Sequence, residues 1–182
     1  GFFDIPVDHL YAAPVMVAHL ETILAPDAVV VAPDSGSVKM AQAYGDMLGA
    51  GFAVVAKRRV SAEQVESSHL VGEVRGRDCV LVDDLTTTAS TLAQAAERLR
   101  DAGARRIFAA VSHCCLTSDG LDTLKASCIR ELIVTDSVPL AVSLRHPKVR
   151  VLSVAPLLGE AIRRIHAGES VSSLFQLEQT RL

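Results

Sequence analysis

The sequence contains no tryptophan, and aromatic residues make up only 4% of its 182 positions. A buried core must therefore come from valine, leucine, isoleucine and alanine, which suits parallel strands flanked by helices. Basic residues are not in excess, since the formal net charge is −3, and this argues against a nucleic-acid partner held by a broad positive field. No apolar run is long enough to span a bilayer, and the first residues lack a signal-type pattern. We therefore expect neither nucleic acid nor membrane as a partner.

Paired cysteine spacing is also lacking. The four cysteines are Cys79, Cys114, Cys115 and Cys128, and their spacing does not match that of a zinc site. The apolar residues around the first three are typical of the ends of buried strands. We interpret all four as reduced thiols of a cytoplasmic protein.

Short β-branched runs alternate along the chain with stretches of helical periodicity. The length suits one complete domain over residues 1–182, and there is no internal repeat or low-complexity linker. The alternation predicts an α/β fold, a doubly wound, mostly parallel sheet flanked by helices. Strands are predicted at 28–32, 52–56, 79–83, 107–112, 131–135 and 149–154, and helices at 10–22, 37–48, 90–101, 118–126 and 156–167. The last helix carries the clearest apolar stripe, formed by Leu157, Leu158, Ala161, Ile162 and Ile165.

The most informative loop follows the third predicted strand. In such sheets, ligands bind outside the carboxyl ends of the strands, near helix N-termini. Asp83 and Asp84 end this strand, where carboxylates can accept hydrogen bonds from the vicinal hydroxyls of a sugar. Small and hydroxyl residues then open a helix whose free N–H groups favour a phosphate. The loop therefore fits a sugar phosphate, and an ordinary Ser/Thr helix cap beside two solvated acids is the alternative.

A second loop, residues 33–37, follows the first predicted strand. A glycine-containing turn at a helix start can bring backbone N–H groups against a diphosphate, and Asp34 could hold a bridging cation. An aspartate that caps a connecting turn explains these residues equally well.

A third loop begins with Lys57, Arg58 and Arg59, after the second predicted strand, and stays polar through Ser68. Cations on a mobile loop could neutralise the charge that develops during phosphoryl transfer. Without further context, a solvated basic cluster is the simpler interpretation.

The pattern Asp-Asp-x-x-x-Thr-x-x-Thr after an apolar strand resembles the ribose-phosphate loop of type I phosphoribosyltransferases and phosphoribosyl diphosphate synthetases. Residues 1–8, 57–59, 76–79, 134–136 and 151–175 are similar to the carboxyl-terminal half of ribose-phosphate diphosphokinase. The resemblance covers almost the whole chain in register, apart from a short gap between Tyr44 and Phe52. In that family the ATP contacts and a second metal ligand lie mainly in an amino-terminal half, which would precede Gly1. We therefore expect the isolated polypeptide to be unable to make phosphoribosyl diphosphate.

The resemblance implies transfer of the diphosphoryl group of MgATP to the C1 hydroxyl of ribose 5-phosphate, by a protein that forms homo-oligomers. It implies Mg²⁺ as the cofactor, with Asp34 as a ligand, and Lys57 and Arg59 as catalytic residues. The implied ribose 5-phosphate contacts are Arg59, Asp83, Asp84, Thr87, Thr88, Ala89, Ser90 and Thr91. The implied diphosphate contacts are Asp34, Ser35, Gly36 and Ser37. Ser170 and Ser172 match positions that help bind a regulatory phosphate or nucleotide.

Several positions depart from the family pattern. Ser37 and Ser90 replace glycines, Met40 and Gln42 replace arginines, and Ala56 and Thr87 replace aspartates. These changes keep two alternatives open. One is a synthetase-associated regulatory subunit that kept the fold and lost the chemistry. The other is a phosphoribosyltransferase, which uses the same ribose loop.

Overall fold

The structure is a computed structural model that describes residues 2–58 and 67–175. Its regular elements confirm the predicted α/β fold. The helices are α1 (Ala13–Ile23), α2 (Val38–Leu48), α3 (Ser90–Asp101), α4 (Ser118–Ala126) and α5 (Ala155–Ala167), with short 3-10 helices at Val142–Leu144 and Ser172–Phe175. The strands are β1 (Val29–Ala32), β2 (Gly51–Arg58), β3 (Ser67–Val71), β4 (Asp78–Thr86), β5 (Arg106–Cys114), β6 (Glu131–Thr135) and β7 (Val149–Leu152).

The described strands form one seven-stranded sheet in the order β3-β2-β1-β4-β5-β6-β7. All neighbouring pairs are parallel except β2 and β3. The chain leaves β1 toward one edge of the sheet and returns to β4 on the other side of β1. The carboxyl ends of β1 and β4 therefore flank a switch point, where open α/β sheets bind their ligands.

The alternation of side chains along β4 explains why both faces of the sheet are covered. Cys79 and Leu81 pack into the core under α3 and α4, whereas Val80 and Val82 pack into the core under α1 and α2. Because each of these four side chains is fully buried, the strand reads as a continuous apolar run without alternation of polar residues. A rigid central strand thus carries Asp83 and Asp84 at its far end.

Two strand predictions were wrong in detail. β3 was missed, because the polar sequence at Ser67–Val71 carries no strand signal and becomes a strand by antiparallel pairing with β2. The strand predicted to end at Asp83 continues to Thr86. Its last residues pair with β5, as Leu85 does with His113, and this pairing outweighs the turn-like composition.

The apolar stripe of α5 is only partly covered. Ala161 is its only buried residue, whereas Leu158, Ile162 and Ile165 are 48%, 68% and 55% exposed. The exposed positions lie four and three residues apart, on one side of the helix. A periodic apolar pattern therefore predicted the helix correctly but did not predict burial in this chain.

All four cysteines are free thiols, as predicted. Burial raises the pKa of Cys79 to about 12, so this thiol stays protonated and unreactive near neutral pH. Among the described residues, no helix has both the length and the apolar character needed to cross a membrane. The cytoplasmic location and the absence of a nucleic-acid partner stay predictions.

Candidate functional site

The structure brings the first two predicted loops together at the switch point. β1 and β4 are neighbours, with Val31 paired to Leu81, so the residues after β1 and the end of β4 lie at the same edge of the sheet. Ser37 marks the contact, because its Oγ donates a hydrogen bond to Asp83 Oδ1 at 2.8 Å. Residues that are 46 positions apart in sequence therefore share one site.

Asp34 shapes the turn between β1 and α2. Its Oδ1 accepts hydrogen bonds from the backbone N–H groups of Gly36, at 2.8 Å, and Ser37, at 3.3 Å, in the manner of an aspartate that stabilises its own turn. A side chain at position 36 would place its Cβ 3.2 Å from this oxygen, so glycine suits the position. The other oxygen, Oδ2, accepts none of the hydrogen bonds that the described residues make, and is the one available to a ligand.

Asp83 is half-buried beside two other carboxylates. Burial is the main cause that raises its pKa, and the charges of Asp34 and Asp84 raise it further. Hydrogen bonds from Ser37 and from the Asp84 N–H, at 3.0 Å, act in the opposite direction. Three carboxylates in one place create a negative potential that attracts a cation or hydroxyl donors.

A small hollow of about 90 Å³ lies directly beyond these acids. Its lining consists of Asp83, Leu85, Thr86, Thr87, Thr88, Ala89, Ser90, Thr91 and Leu92. α3 begins at Ser90, and the N–H groups of a helix's first turn have no acceptor within the helix. Together with the helix dipole, they make this hollow suitable for an anion.

Ala89, which precedes α3, has φ 55° and ψ 8°. This left-handed conformation is uncommon for a residue with a Cβ atom and costs it roughly 1 kcal/mol. The Ala89 side chain is 2% exposed and belongs to the core under α3 and α4, so packing holds the strained backbone in place. Backbone strain maintained by packing is frequent where a loop shapes a ligand site.

The hollow is supported from behind by the first turn of α4. The Thr117 N–H donates to the Thr87 carbonyl oxygen at 3.0 Å, and the Cys115 N–H donates to Thr86 at 2.9 Å. A Cβ atom at Gly120 would lie 2.3 Å from the same Thr87 oxygen, so only glycine allows this approach. Gly120 was not among the predicted site residues. Its signal was a glycine inside a helical pattern, which is unfavourable by about 1 kcal/mol unless close packing requires it.

The two predicted catalytic residues lie at the end of β2 and just after it in the sequence. The backbone of Lys57 lies near the end of β2 and pairs with Ser68. The structure does not describe its side chain. Arg59 lies outside the described residues altogether. Their catalytic roles stay predictions.

The two predicted regulatory serines are adjacent to each other, outside the lining of the hollow. Both are exposed, and the Ser172 N–H donates to Ser170 Oγ at 3.1 Å. Arg164 fixes this segment by donating to the Ser170 carbonyl oxygen at 3.2 Å. The regulatory role stays a prediction.

Magnesium can be tested against the chemistry of these donors. Within residues 2–58 and 67–175, no group of three or more His, Cys, Asp or Glu side chains could hold a metal ion. Mg²⁺ in phosphoryl-transfer sites usually needs only one or two carboxylates, and completes its shell with water and phosphate oxygens. Asp34, with one carboxylate oxygen available, fits that role.

The sheet, its switch point and the loop at the end of β4 define the type I phosphoribosyltransferase fold. The solved structure of APRTase from Giardia lamblia, complexed with 9-deazaadenine, has this fold. It matches 68% of this chain and 76% of its own chain with a TM-score of 0.54 and 22% identity.

The family model described as the phosphoribosyl synthetase-associated domain matches residues 58–176, and the chain belongs to this family. The resemblance to the synthetase family, noted from the loop at 83–91 together with segments along almost the whole chain, is therefore confirmed.

Curated relatives include the ribose-phosphate pyrophosphokinase of Burkholderia pseudomallei, 46% identical over 176 residues, and ribose-phosphate pyrophosphokinase A of Dictyostelium discoideum, 40% identical over 176 residues. These matches cover 96% of this chain and 55% and 56% of the relatives. The crystal structure of phosphoribosylpyrophosphate synthetase from Mycobacterium smegmatis matches with a TM-score of 0.83 and 36% identity, over 92% of this chain and 54% of that chain. This chain thus spans about half the length of these relatives. Neither alternative function is favoured. The curated relatives are named as ribose-phosphate pyrophosphokinases and not as regulatory subunits, and the phosphoribosyltransferase is much less similar in sequence than the synthetase.

Proposed function

We propose that this chain is the ribose 5-phosphate-binding and magnesium-binding domain of a ribose-phosphate diphosphokinase. The whole enzyme transfers the diphosphoryl group of MgATP to the C1 hydroxyl of ribose 5-phosphate. One observation carries this proposal: Asp83 contacts the loop that holds Asp34 and also lines the hollow at the start of α3. A sugar diol, its phosphate and a cation can therefore be bound side by side.

The ribose 5-phosphate subsite divides into two chemical parts. Asp83 and Asp84 accept hydrogen bonds from the ribose hydroxyls, and residues 87–91 bind the 5-phosphate through hydroxyl groups and the free N–H groups of α3. Thr87 suits this role, because a hydroxyl donates to a phosphate oxygen whereas a carboxylate would repel it.

The diphosphate subsite consists of residues 34–37. Asp34 would hold Mg²⁺, which would neutralise charge on the diphosphate oxygens. Lys57, whose backbone belongs to β2 beside β1, and Arg59, which follows β2 in the sequence, stabilise the charge that develops on the transferring group. Arg59 also binds the ribose phosphate. Since transfer is an in-line displacement at phosphorus, these residues act by positioning and charge neutralisation.

Binding of ribose 5-phosphate to this chain tests the proposal directly. Isothermal titration calorimetry in MgCl₂ is expected to detect binding by the unmodified chain. The variant Asp83→Asn should bind about tenfold more weakly, because a charged acceptor is lost. Asp122→Asn, on the exposed surface of α4, is the matched control. The proposal is wrong if ribose 5-phosphate does not bind, or if both variants bind equally well.

Catalysis by the chain alone is a separate question. Because the curated relatives are nearly twice as long, we expect this chain to bind ribose 5-phosphate but not to form AMP from ATP. Chromatographic detection of AMP would contradict this expectation without affecting the binding proposal.

We also expect the whole protein to form a homo-oligomer. The exposed stripe of Leu158, Ile162 and Ile165 supports self-association, because soluble proteins seldom leave such a stripe uncovered. Light scattering coupled to size exclusion would reveal the assembly, and Ile162→Glu should weaken it. A monomeric mass at micromolar concentration would contradict the expectation.

A further inference from the structure

We propose that Ser37 is a positioning residue that couples the magnesium subsite to the ribose subsite. This inference rests on the proposed function. Ser37 is only 5% exposed, and it contacts both Asp34 and Asp83. One buried residue therefore controls the orientation of the carboxylate assigned to the cation and of the carboxylate assigned to the sugar.

The two contacts use different donors of the same residue. The backbone N–H of Ser37 donates to Asp34 Oδ1 at 3.3 Å, and the hydroxyl donates to Asp83 Oδ1 at 2.8 Å. The hydroxyl oxygen also lies 3.4 Å from Asp34 Oδ1, but a serine hydroxyl has only one proton to donate. The shorter distance assigns that proton to Asp83, and leaves Asp34 as a weaker competitor for it.

The same contacts decide which oxygen of each carboxylate faces a ligand. Asp83 Oδ1 accepts from Ser37 and from the Asp84 N–H, so Oδ2 is left to accept from a ribose hydroxyl. Asp34 Oδ1 is similarly surrounded by Gly36 and Ser37, so its Oδ2 is left to the cation. Ser37 thus presents one oxygen of each acid and prevents the carboxylates from rotating.

Coupling follows from the competition for a single proton. A cation on Asp34 withdraws electron density from that carboxylate and makes it a poorer acceptor. The Ser37 hydroxyl is then committed fully to Asp83, which fixes the sugar-binding oxygen. Magnesium should therefore strengthen ribose 5-phosphate binding, and ribose 5-phosphate should strengthen magnesium binding by the same factor.

The experiment is a calorimetric titration of ribose 5-phosphate into the full chain, in MgCl₂ and in EDTA. We expect Ser37→Ala to weaken binding in MgCl₂ about fivefold to tenfold, the usual effect of losing one ordinary hydrogen bond, because the bond to Asp83 positions the carboxylate and does not itself contact the sugar. For Ser37→Ala, the affinity measured with magnesium divided by the affinity measured without it should fall toward one. Ser37→Thr keeps the hydroxyl and should restore the ratio. Ser143→Ala, outside both loops, is the matched control.

Two further variants keep the test decisive. Ser37→Cys has a similar shape but a weak donor, and it replaces the alanine variant if that variant does not fold. In Ser37→Ala combined with Asp83→Asn, the losses should be less than additive, because both substitutions act on the same hydrogen bond: one removes its donor, and the other replaces its charged acceptor with a neutral amide.

The possible outcomes separate this inference from the function on which it rests. If Asp83→Asn weakens binding while Ser37→Ala and Ser37→Cys leave both the affinity and its magnesium dependence unchanged, the coupling role is wrong and the proposed function stands. Fully additive losses in the double variant also overturn the coupling role. If the unmodified chain does not bind ribose 5-phosphate, the proposed function and this inference both fail.

Discussion

Gly120, in the first turn of α4, lies so close to the Thr87 carbonyl oxygen that a Cβ atom would come within 2.3 Å of it. The same atom would approach the Thr88 Cα to 3.1 Å. Leu116 Cδ1, at 2.9 Å, belongs to a side chain that can move, but the two Thr neighbours are backbone atoms of the loop assigned to the 5-phosphate and cannot yield without a shift of that loop. The shape of that loop thus depends on a glycine that lies outside it.

The substitution Gly120→Ala should therefore displace the loop at Thr87 and Thr88. We expect a loss of about 1–3 kcal/mol in the free energy of unfolding, since overpacking against backbone costs this much, together with weaker ribose 5-phosphate binding. Urea denaturation and calorimetry measure the two effects. Gly159→Ala in α5 is the matched control, because nothing lies within 4 Å of its Cβ position. There the helix should gain about 0.5–1 kcal/mol, and equal effects at both glycines would refute the argument.

Lys148 stabilises the other end of the same helix. Its ammonium group donates to the carbonyl oxygens of Leu124, at 3.2 Å, Lys125, at 3.1 Å, and Ser127, at 2.9 Å. The end of a helix leaves its last carbonyl groups without the usual partners within the helix, although that of Leu124 also accepts from Ser127 Oγ at 2.7 Å. A positive charge there also complements the helix dipole.

Replacing Lys148 with methionine keeps the aliphatic stem but removes these three donors. We expect a loss of about 1–2 kcal/mol in the free energy of unfolding, measured by urea denaturation. Lys125→Met removes an exposed lysine of the same helix, which pairs with exposed Asp122, and should cost about 0.5 kcal/mol or less. If the two variants are equally stable, the carbonyl contacts of Lys148 contribute nothing.

Sequence alone predicted the elements whose signals are local. Helical periodicity and hydroxyl residues at the start placed 118–126 and 90–101 where α4 and α3 are found. β3 and the extension of β4 to Thr86 were not predicted, because both form by pairing with neighbouring strands and the residues themselves carry no strand pattern.

Part of the site could also be predicted from the sequence. Asp83 and Asp34 were identified because parallel strands place the residues after their carboxyl ends at one edge of the sheet. The hydrogen bond between Ser37 and Asp83 depends on the register of β1 against β4, and the contact of Gly120 with Thr87 depends on the packing of α4 against the loop after β4. Neither relationship is encoded in the spacing of residues along the chain.

Lys57 is predicted to act on the reacting group and not in sugar binding. In a full-length protein that contains this chain, Lys57→Ala should lower turnover by about two orders of magnitude or more, as expected for loss of a charge that stabilises the transition state. Ribose 5-phosphate affinity should survive, since Asp83 and the α3 hollow are unchanged. A coupled assay of AMP formation and a binding titration separate the two effects. Lys39→Ala, on the exposed face of α2, is the control, and unchanged turnover of Lys57→Ala would dismiss the role.

Asp78 holds the opposite end of β4 in place. Its side chain is fully buried, and it accepts hydrogen bonds from Arg106 and Arg105, each with one nitrogen at 2.9 Å, and from the Ala25 N–H at 3.0 Å. The hydrogen bonds from Arg106 are the main cause that lowers the pKa of Asp78 well below its usual range, although burial acts to raise it. The group therefore stabilises the folded state only while it is ionised.

The substitution Asp78→Asn should cost roughly 2 kcal/mol of unfolding free energy at pH 7. This is less than the roughly 3–5 kcal/mol that is lost when one partner of a fully buried ion pair is removed, because the two arginines are partly exposed and can regain water. A lowered pKa in the folded state means that the stabilisation is complete above the ordinary value of 3.8 and is lost as the pH falls through the folded-state pKa. Urea denaturation between about pH 7 and pH 2 should thus show the difference between the two proteins shrinking only below about pH 4.

Asp122→Asn, where the carboxylate side chain is 72% exposed, should cost about 0.5 kcal/mol or less at pH 7. A difference for Asp78→Asn that is small at pH 7, or that does not change in acid, would mean that the buried ion pair does not stabilise β4.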